Sequence, residues 1–308
     1  MEAVYVENPH NFNVIEPYVI AAKEQLVQEI IIANQCYFYD ACSFRKHAHM
    51  EHPEYVFDFI KKYDGVIIIT RCILMELASH SGILNSEYIE YIKKIHSAGI
   101  RVLILYEEDL FDVLNLCFTT SAVINNYLSW AVKTVKRPTS TIASVLKTNR
   151  NLLDDIMENN VTDRTLFERF FREVRANKES GDNLGEELIT ICIHLLANIP
   201  ENYNYKYVVM TDDKGAIGLI NKAAYNVLTH RGVRAFSALS TTRLAQRLYE
   251  ENMVSQKEQV EKVISVGVIH NMVTIFGSEE FDLEAKEKTM TCRELAEKIV
   301  RNKIHINY

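Results

Sequence analysis

The chain has 308 residues, of which 48% are hydrophobic and 24% charged, with a formal net charge of −7. That length and balance suit one large or two small domains with a full core, and they exclude a disordered or fibrous chain. The acidic surplus excludes a protein that grips nucleic acid by bulk positive charge, though it leaves room for a local basic patch.

Only 10 Gly and 5 Pro occur, so long linkers are not expected. The six cysteines (Cys36, Cys42, Cys72, Cys117, Cys192, Cys292) form no C-x-x-C pair. Several lie in apolar runs, where Cys behaves as a small hydrophobe. The pattern is that of a reduced intracellular chain rather than a zinc ribbon or disulfide frame. The first residues, MEAVYVENPHNF, carry no basic region followed by an apolar one, and no apolar block approaches the ~20 residues of a membrane span. The expectation is a soluble, cytoplasmic protein.

In chain order, residues 15–33 have helical spacing and predict an N-terminal helix packing on the core. Cys36–Tyr39 reads as a first strand. Gly65–Ile69 reads as a second, apolar on both faces, with Thr70 capping a helix to Ser79. A helix from Ser86 closes at Gly99, and Ile100–Tyr106 forms a third strand. About a hundred residues then look wholly helical, in blocks at 109–135, 140–158, 163–178 and 184–197. Tyr207–Met210 is a fourth strand, followed by a helix carrying Ile217, Ile220, Ala224 and Val227 and stopped at Gly232; Val233–Leu239 reads as a fifth strand. The β-α rhythm predicts a three-layer α/β/α fold around a mostly parallel sheet. A helix over Thr241–Asn252, a second at 255–264, a strand pair near 266–285 and a last helix over Cys292–Asn302 form a small α+β appendage. The expected organisation is therefore 1–34, 35–240 with a helical insertion at about 107–183, and 241–308.

The chemistry concentrates where strands end. In "QCYFYDACSFRKHAH", residues 35–49, an apolar run stops on Asp40. Burying a lone carboxylate is costly unless it is paired, hydrogen-bonded or bound to a metal. Glu76 follows the second strand among Ile73, Leu74 and Leu77. Glu186 opens the helix before the fourth strand, and Asp212 and Asp213 follow that strand directly. Ligands of open α/β sheets sit beyond the carboxyl ends of the strands. Carboxylates gathered there repel one another, and a hard divalent cation relieves the repulsion.

These segments resemble the PIN-domain nucleases. The resemblance rests on YFYD40, T70-RCILM-E76-L77, G185-E186-E187-L188-I189 and T211-D212-D213-K214, and covers roughly residues 35–106 and 184–240. It implies a PIN-like fold and a metal-dependent endonuclease that hydrolyses phosphodiester bonds in RNA, or in single-stranded DNA. It further implies that Asp40, Glu76, Glu186 and Asp213 ligate one or two Mg²⁺ or Mn²⁺ ions. Asp212 would be auxiliary, and Thr211 would orient the acids or a water. Two departures stand out: the insertion at 107–183 is long for the family, and T-D-D offers two acids where one is expected. The T-x-D spacing favours Asp213. The alternative from another class is a non-catalytic scaffold of the same fold. Its insertion and appendage would bind a protein partner or a second copy.

Plainer readings stand beside these. Asp212 or Asp213 can cap the following helix, and Asn183 with Glu186 has capping-box spacing. His47, His49 and His52 match no zinc spacing and read as a solvated loop near the acidic edge, where Arg45 and Lys46 are candidates for phosphate contact. Arg164, Arg169, Arg172 and Arg175 lie among Phe167, Phe170 and Phe171. They suggest either a basic stripe for RNA or an ordinary helix face diluted by Glu168 and Glu173.

Overall fold

The computed structural model describes residues 3–118, 120–158, 161–200 and 204–308. The N-terminal helix is shorter than its periodicity suggests. Residues Phe12–Val14 and Glu16–Tyr18 form 3-10 turns, and α1 spans only Lys23–Ile32. Pro17 sits in the first positions of the second turn, and Val19 leaves it extended. Ile20 then pairs with Leu103, adding one rung to a sheet edge.

The core alternates β1 (Gln35–Tyr39), α2 (Ala41–Ala48), α3 (Glu54–Lys62), β2 (Gly65–Thr70), α4 (Arg71–Leu77), α5 (Ser86–Ser97) and β3 (Val102–Leu105). Five helices follow: α6 (Leu110–Cys117), α7 (Ser121–Val135), α8 (Thr141–Thr148), α9 (Arg150–Glu158) and α10 (Arg164–Ala176). Then come α11 (Leu184–Leu196), β4 (Tyr207–Met210), α12 (Lys214–Arg231) and β5 (Phe236–Leu239). The five strands form one all-parallel sheet in the order β3-β2-β1-β4-β5. The expected α/β/α layering is therefore the observed architecture. All of β2 is buried, which its GVIIIT sequence demands. Gly65 opens it because a Cβ there would lie 2.5 Å from the Tyr37 ring.

The chain steps from β1 outward to β3, then returns across the insertion to pair β4 with the other side of β1. The order reverses between β1 and β4, and such a switch point leaves a crevice at the carboxyl ends. Asp40 and the Thr211–Asp213 segment terminate these two strands.

Residues 41–48 correct the expected loop: Arg45, Lys46 and His47 belong to α2. Its buried face is Ala41, Ser43, Phe44 and His47, two of them polar, so hydropathy does not announce a helix. His47 is fully buried, bonded to Tyr39 Oη at 2.9 Å and Thr241 Oγ1 at 3.2 Å. His49 and His52 pair with Glu87 and Glu54 on the surface.

Beyond β5 lie α13 (Thr241–Glu250), α14 (Lys257–Ile264), β6 (Met272–Glu279), β7 (Lys286–Thr291), α15 (Cys292–Val300) and β8 (Ile304–Ile306). The strand pair sits later than expected because residues 265–271 are turn: Gly267, His270 and Asn271 all have positive φ. β8, too short to signal itself, completes an antiparallel sheet ordered β7-β6-β8. Gln246 ties it to α13, donating to Ile304 O at 2.7 Å and accepting from Ile306 N at 2.8 Å.

The arginine helix is also corrected. Arg175 is fully buried, its guanidinium donating to Glu107, Glu108 and Glu7 at 2.5–3.0 Å. Arg169 pairs with Asp155, and Arg164 with Asp109, Asp112 and Glu168. Arg172 faces Glu108 at 3.6 Å. Arg175 thus belongs to the interior, while Arg169 and Arg172, 47% and 65% exposed, lie on an ordinary helix face beside their acids.

Candidate metal centre

Asp40 follows β1 at the N-cap position of α2 and is only 3% exposed. Two donors hold one of its oxygens: Thr211 Oγ1 at 2.9 Å and Cys42 Sγ at 2.8 Å, both on Oδ2. Burial nevertheless raises its proton affinity above the usual carboxylate range, and Asp213 adds to the rise. Thr211 is the hinge of the site. While donating to Asp40 it accepts from Asp213 N at 3.1 Å, so one hydroxyl fixes the ends of β1 and β4 together.

Asp213 is exposed at the mouth and caps α12, its Oδ1 accepting from Ala216 N at 2.7 Å. Asp212 points elsewhere. It accepts from Thr241 N and Oγ1, each at 2.7 Å, and pairs with Lys46 at 3.0 Å. Burial pushes its proton affinity up, but Lys46 and the Thr241 donors outweigh that and leave it lowered. Asp212 is thus a satisfied carboxylate that fastens β4 to α13, and the cluster's acid from this segment is Asp213.

Glu76 and Glu186 complete the crevice from α4 and α11. A Cβ on Gly185 would lie 2.5 Å from Glu76 Oε1, so the glycine before Glu186 is what lets that carboxylate lie against the start of α11. The suspected capping box is absent, since Asn183 makes no side-chain cap bond. Glu186 Oε2 is buried and has no hydrogen-bond partner. Burial first, then the charges of Asp40, Glu76 and Asp213, push its pKa up to about 7. Glu186 therefore feels the charge of three other carboxylates, although they do not stand within reach of one cation as they lie. Glu76 is partly neutralised: Lys178 Nζ lies 3.0 Å from its Oε1 and also serves Asp182. Burial raises the proton affinity of Glu76 and Lys178 opposes the rise.

Among the described residues, no cation pairs with Asp40, Glu186 or Asp213, and no three His, Cys, Asp or Glu side chains stand close enough to hold an ion as they lie. The donor set is nonetheless all carboxylate oxygen at its centre, which suits Mg²⁺ or Mn²⁺, and Glu186 carries an orphaned buried oxygen that a cation would satisfy.

Sequence reasoning missed Cys42 and Lys178 as members of this site, while Arg45 stood as a candidate for phosphate contact near the acidic edge. Arg45 donates to Glu76 O at 2.7 Å from α2. Cys42 and Arg45 lay in view of Asp40, two and five residues on. Lys178 had no local signal, because it meets Glu76 only through tertiary packing. Compared with protein-family models, curated proteins and solved structures, the chain matches none.

Proposed function

We propose that the chain is a metal-dependent phosphodiester hydrolase acting on RNA, with its centre in the β1/β4 crevice. One observation carries the reading: Glu186 Oε2 is buried without a hydrogen-bond partner at a topological switch point, and burial first, then the charges of Asp40, Glu76 and Asp213, raise its proton affinity. Structural carboxylates in folded proteins are paired; these are left incomplete where an α/β sheet binds its ligands.

Asp40, Glu186 and Asp213 would hold Mg²⁺ or Mn²⁺, with Glu76 joining as Lys178 yields. Bound there, the cation would polarise a phosphoryl oxygen and lower the pKa of water. The chain's own residues do the rest. Thr211 and Cys42 fix Asp40, so the carboxylate does not reorganise as charge develops. Glu186, whose proton affinity burial and the neighbouring acids raise in the metal-free chain, would give up that proton on binding the cation and serve as a ligand. Arg45, anchored on Glu76 O, presents positive charge at the rim, where a phosphate would approach.

The test is cleavage of labelled single-stranded RNA and DNA with Mn²⁺, Mg²⁺ or EDTA. Metal-dependent cleavage of RNA, lost at least a hundredfold in Asp40→Asn and in Asp213→Asn, is expected on the order of other catalytic-group deletions. Residual metal-dependent cleavage by folded Asp40→Asn would sink the assignment.

A second reading, a non-catalytic scaffold, is favoured by the Lys178–Glu76 contact, which places a side-chain cation where a metal ligand is proposed. Under it, no metal-dependent cleavage occurs and the insertion and appendage serve a protein partner.

A further inference from the structure

Beside the acidic crevice lies a second recess that the proposed chemistry does not use. It is a cavity of about 640 Å³ between the carboxyl ends of β4 and β5 and the face of β6. That volume is in the range that holds a small organic ligand. Its two walls differ. The core side presents the start of α13, with Thr241 and Thr242, and two lysines, Lys46 and Lys214, each paired with a carboxylate that also lines the recess, Asp212 and Glu287. The appendage side presents Ile269, Met272 and Phe276.

The apolar wall is open to solvent: Ile269 is 75% exposed and Met272 45%. Phe276 stacks on Tyr308 with centroids 5.5 Å apart and an interplanar angle of 5°. The pair closes one end of the recess. The wall is also braced against the core, because Gly267 has φ +66 and a Cβ there would lie 3.0 Å from Lys46 Cγ.

The recess is joined to the acidic crevice by sequence and by charge. Asp213 faces the cluster, and its neighbour Lys214 lines the recess. Lys46 lines it too and binds Asp212, the carboxylate standing between the two. Among the described residues, Lys214 pairs with Glu287, about 60% exposed on both sides. Such a pair contributes little, so a phosphate can displace it.

We propose that this recess receives an unstacked base of a single-stranded RNA, the nucleotide next to the one whose phosphate lies at the acidic crevice. The base lies against Met272, Ile269 and the Phe276–Tyr308 stack, and the backbone runs over Lys214 and Lys46. Apolar and aromatic surface flanked by lysines is the chemistry that accepts any base face together with its phosphates. A duplex keeps its bases stacked and cannot insert one, so the site selects single strands. This deepens the hydrolase reading and rests on it for the position of the scissile phosphate.

The test uses the full chain in EDTA, so that binding is read without cleavage. Anisotropy compares a labelled single-stranded RNA decamer, the same RNA as a duplex, and single-stranded DNA. The chains compared are wild type, Ile269→Ala/Met272→Ala and Lys214→Ala, with melting curves confirming that each is folded. Single-stranded RNA is expected to bind better than duplex. The double variant should lose about tenfold for single strands and nothing for duplex. Lys214→Ala should lower the salt slope by about one. A 4-thiouridine RNA should crosslink within residues 266–276 or at Tyr308. Equal binding by wild type and the double variant, crosslinks only elsewhere, or no RNA binding at all would overturn the recess while leaving metal-dependent cleavage to stand or fall by its own assay. Binding lost in the double variant of a protein that never cleaves would uphold the recess and end the hydrolase reading.

Discussion

Two groups of buried acids lie along the same edge of the sheet, and the fold treats them oppositely. Beyond β3, Glu107 and Glu108 meet Arg175, which also reaches Glu7, and Glu107 accepts from Cys72 N at 3.0 Å. Burial raises the proton affinity of Glu107, and the first influence against it is Arg175. Beyond β1 and β4, Asp40 has the Thr211 hydroxyl, the Cys42 thiol and the Ala41 backbone amide as donors but no cation among the described residues, and Glu186 has an oxygen with no hydrogen-bond partner. A fold that can enclose an arginine among three glutamates at one end of its sheet has the means to complete its carboxylates. At the switch point Lys178 reaches only Glu76 of the four acids, and among the described residues no cation pairs with Asp40 or Glu186.

The comparison can be broken first at its paired end. Arg175→Met removes the cation from between three carboxylates, leaving buried charge uncompensated, and should cost about 3–5 kcal/mol. The measurement is denaturant unfolding at neutral pH. A cost under about 1 kcal/mol would show that the paired cluster is not held by its arginine and would remove the contrast.

A smaller effect sharpens the electrostatics elsewhere. His47 and His194 are buried, and that burial lowers each pKa to about 4; neither nitrogen of His194 has a partner. Both folded values lie below the unfolded one near 6.5, so each histidine's contribution is complete above pH 6.5 and is lost as pH falls towards 4. Each should account for on the order of 3 kcal/mol of acid destabilisation. His194→Leu is expected to flatten stability between pH 6.5 and 4 by that amount, and an unchanged pH profile would contradict the burial argument.

The smallest effect is at the incomplete end. The folded pKa of Glu186, about 7, lies above that of the unfolded chain. The native state therefore binds more protons between pH 4.5 and 7, and stability falls as pH rises through that window. Glu186→Gln should stabilise the metal-free protein at pH 8 by up to about 3 kcal/mol, less whatever the neutral amide fails to reproduce of the protonated acid, with no gain at pH 4. Destabilisation at pH 8 would mean that the carboxylate is already compensated.

Much of this architecture can be read from residue types. The β-branched runs GVIII and YVVM mark strands whose burial on both faces is observed, and Gly232, with φ +69, ends α12 as its position suggests. The order of Asp40, Glu76, Glu186 and Asp213 is legible because each sits at the boundary of a strongly patterned element. What escapes the sequence depends on partners far along the chain. Helix α2 buries Ser43 and His47, whose acceptability inside comes from Asp212, Tyr39 and Thr241. Arg175 looks like a member of a solvated face until Glu107 and Glu108 enclose it. Between Asp212 and Asp213 the sequence offers only the T-x-D spacing, which favours Asp213. Lys46 and Thr241, brought in by α2 and α13, separate the fastened acid from the one at the crevice.

The most direct measurement of the central claim is the melting temperature of the wild-type chain at pH 8 with EDTA, Mg²⁺ or Mn²⁺, beside Asp40→Asn. A cation that binds the folded state and relieves the repulsion around Glu186 should raise the wild-type melting temperature by several degrees and leave the variant nearly unmoved. Equal melting of the wild-type chain in EDTA and in millimolar Mn²⁺ would contradict a metal centre in the β1/β4 crevice.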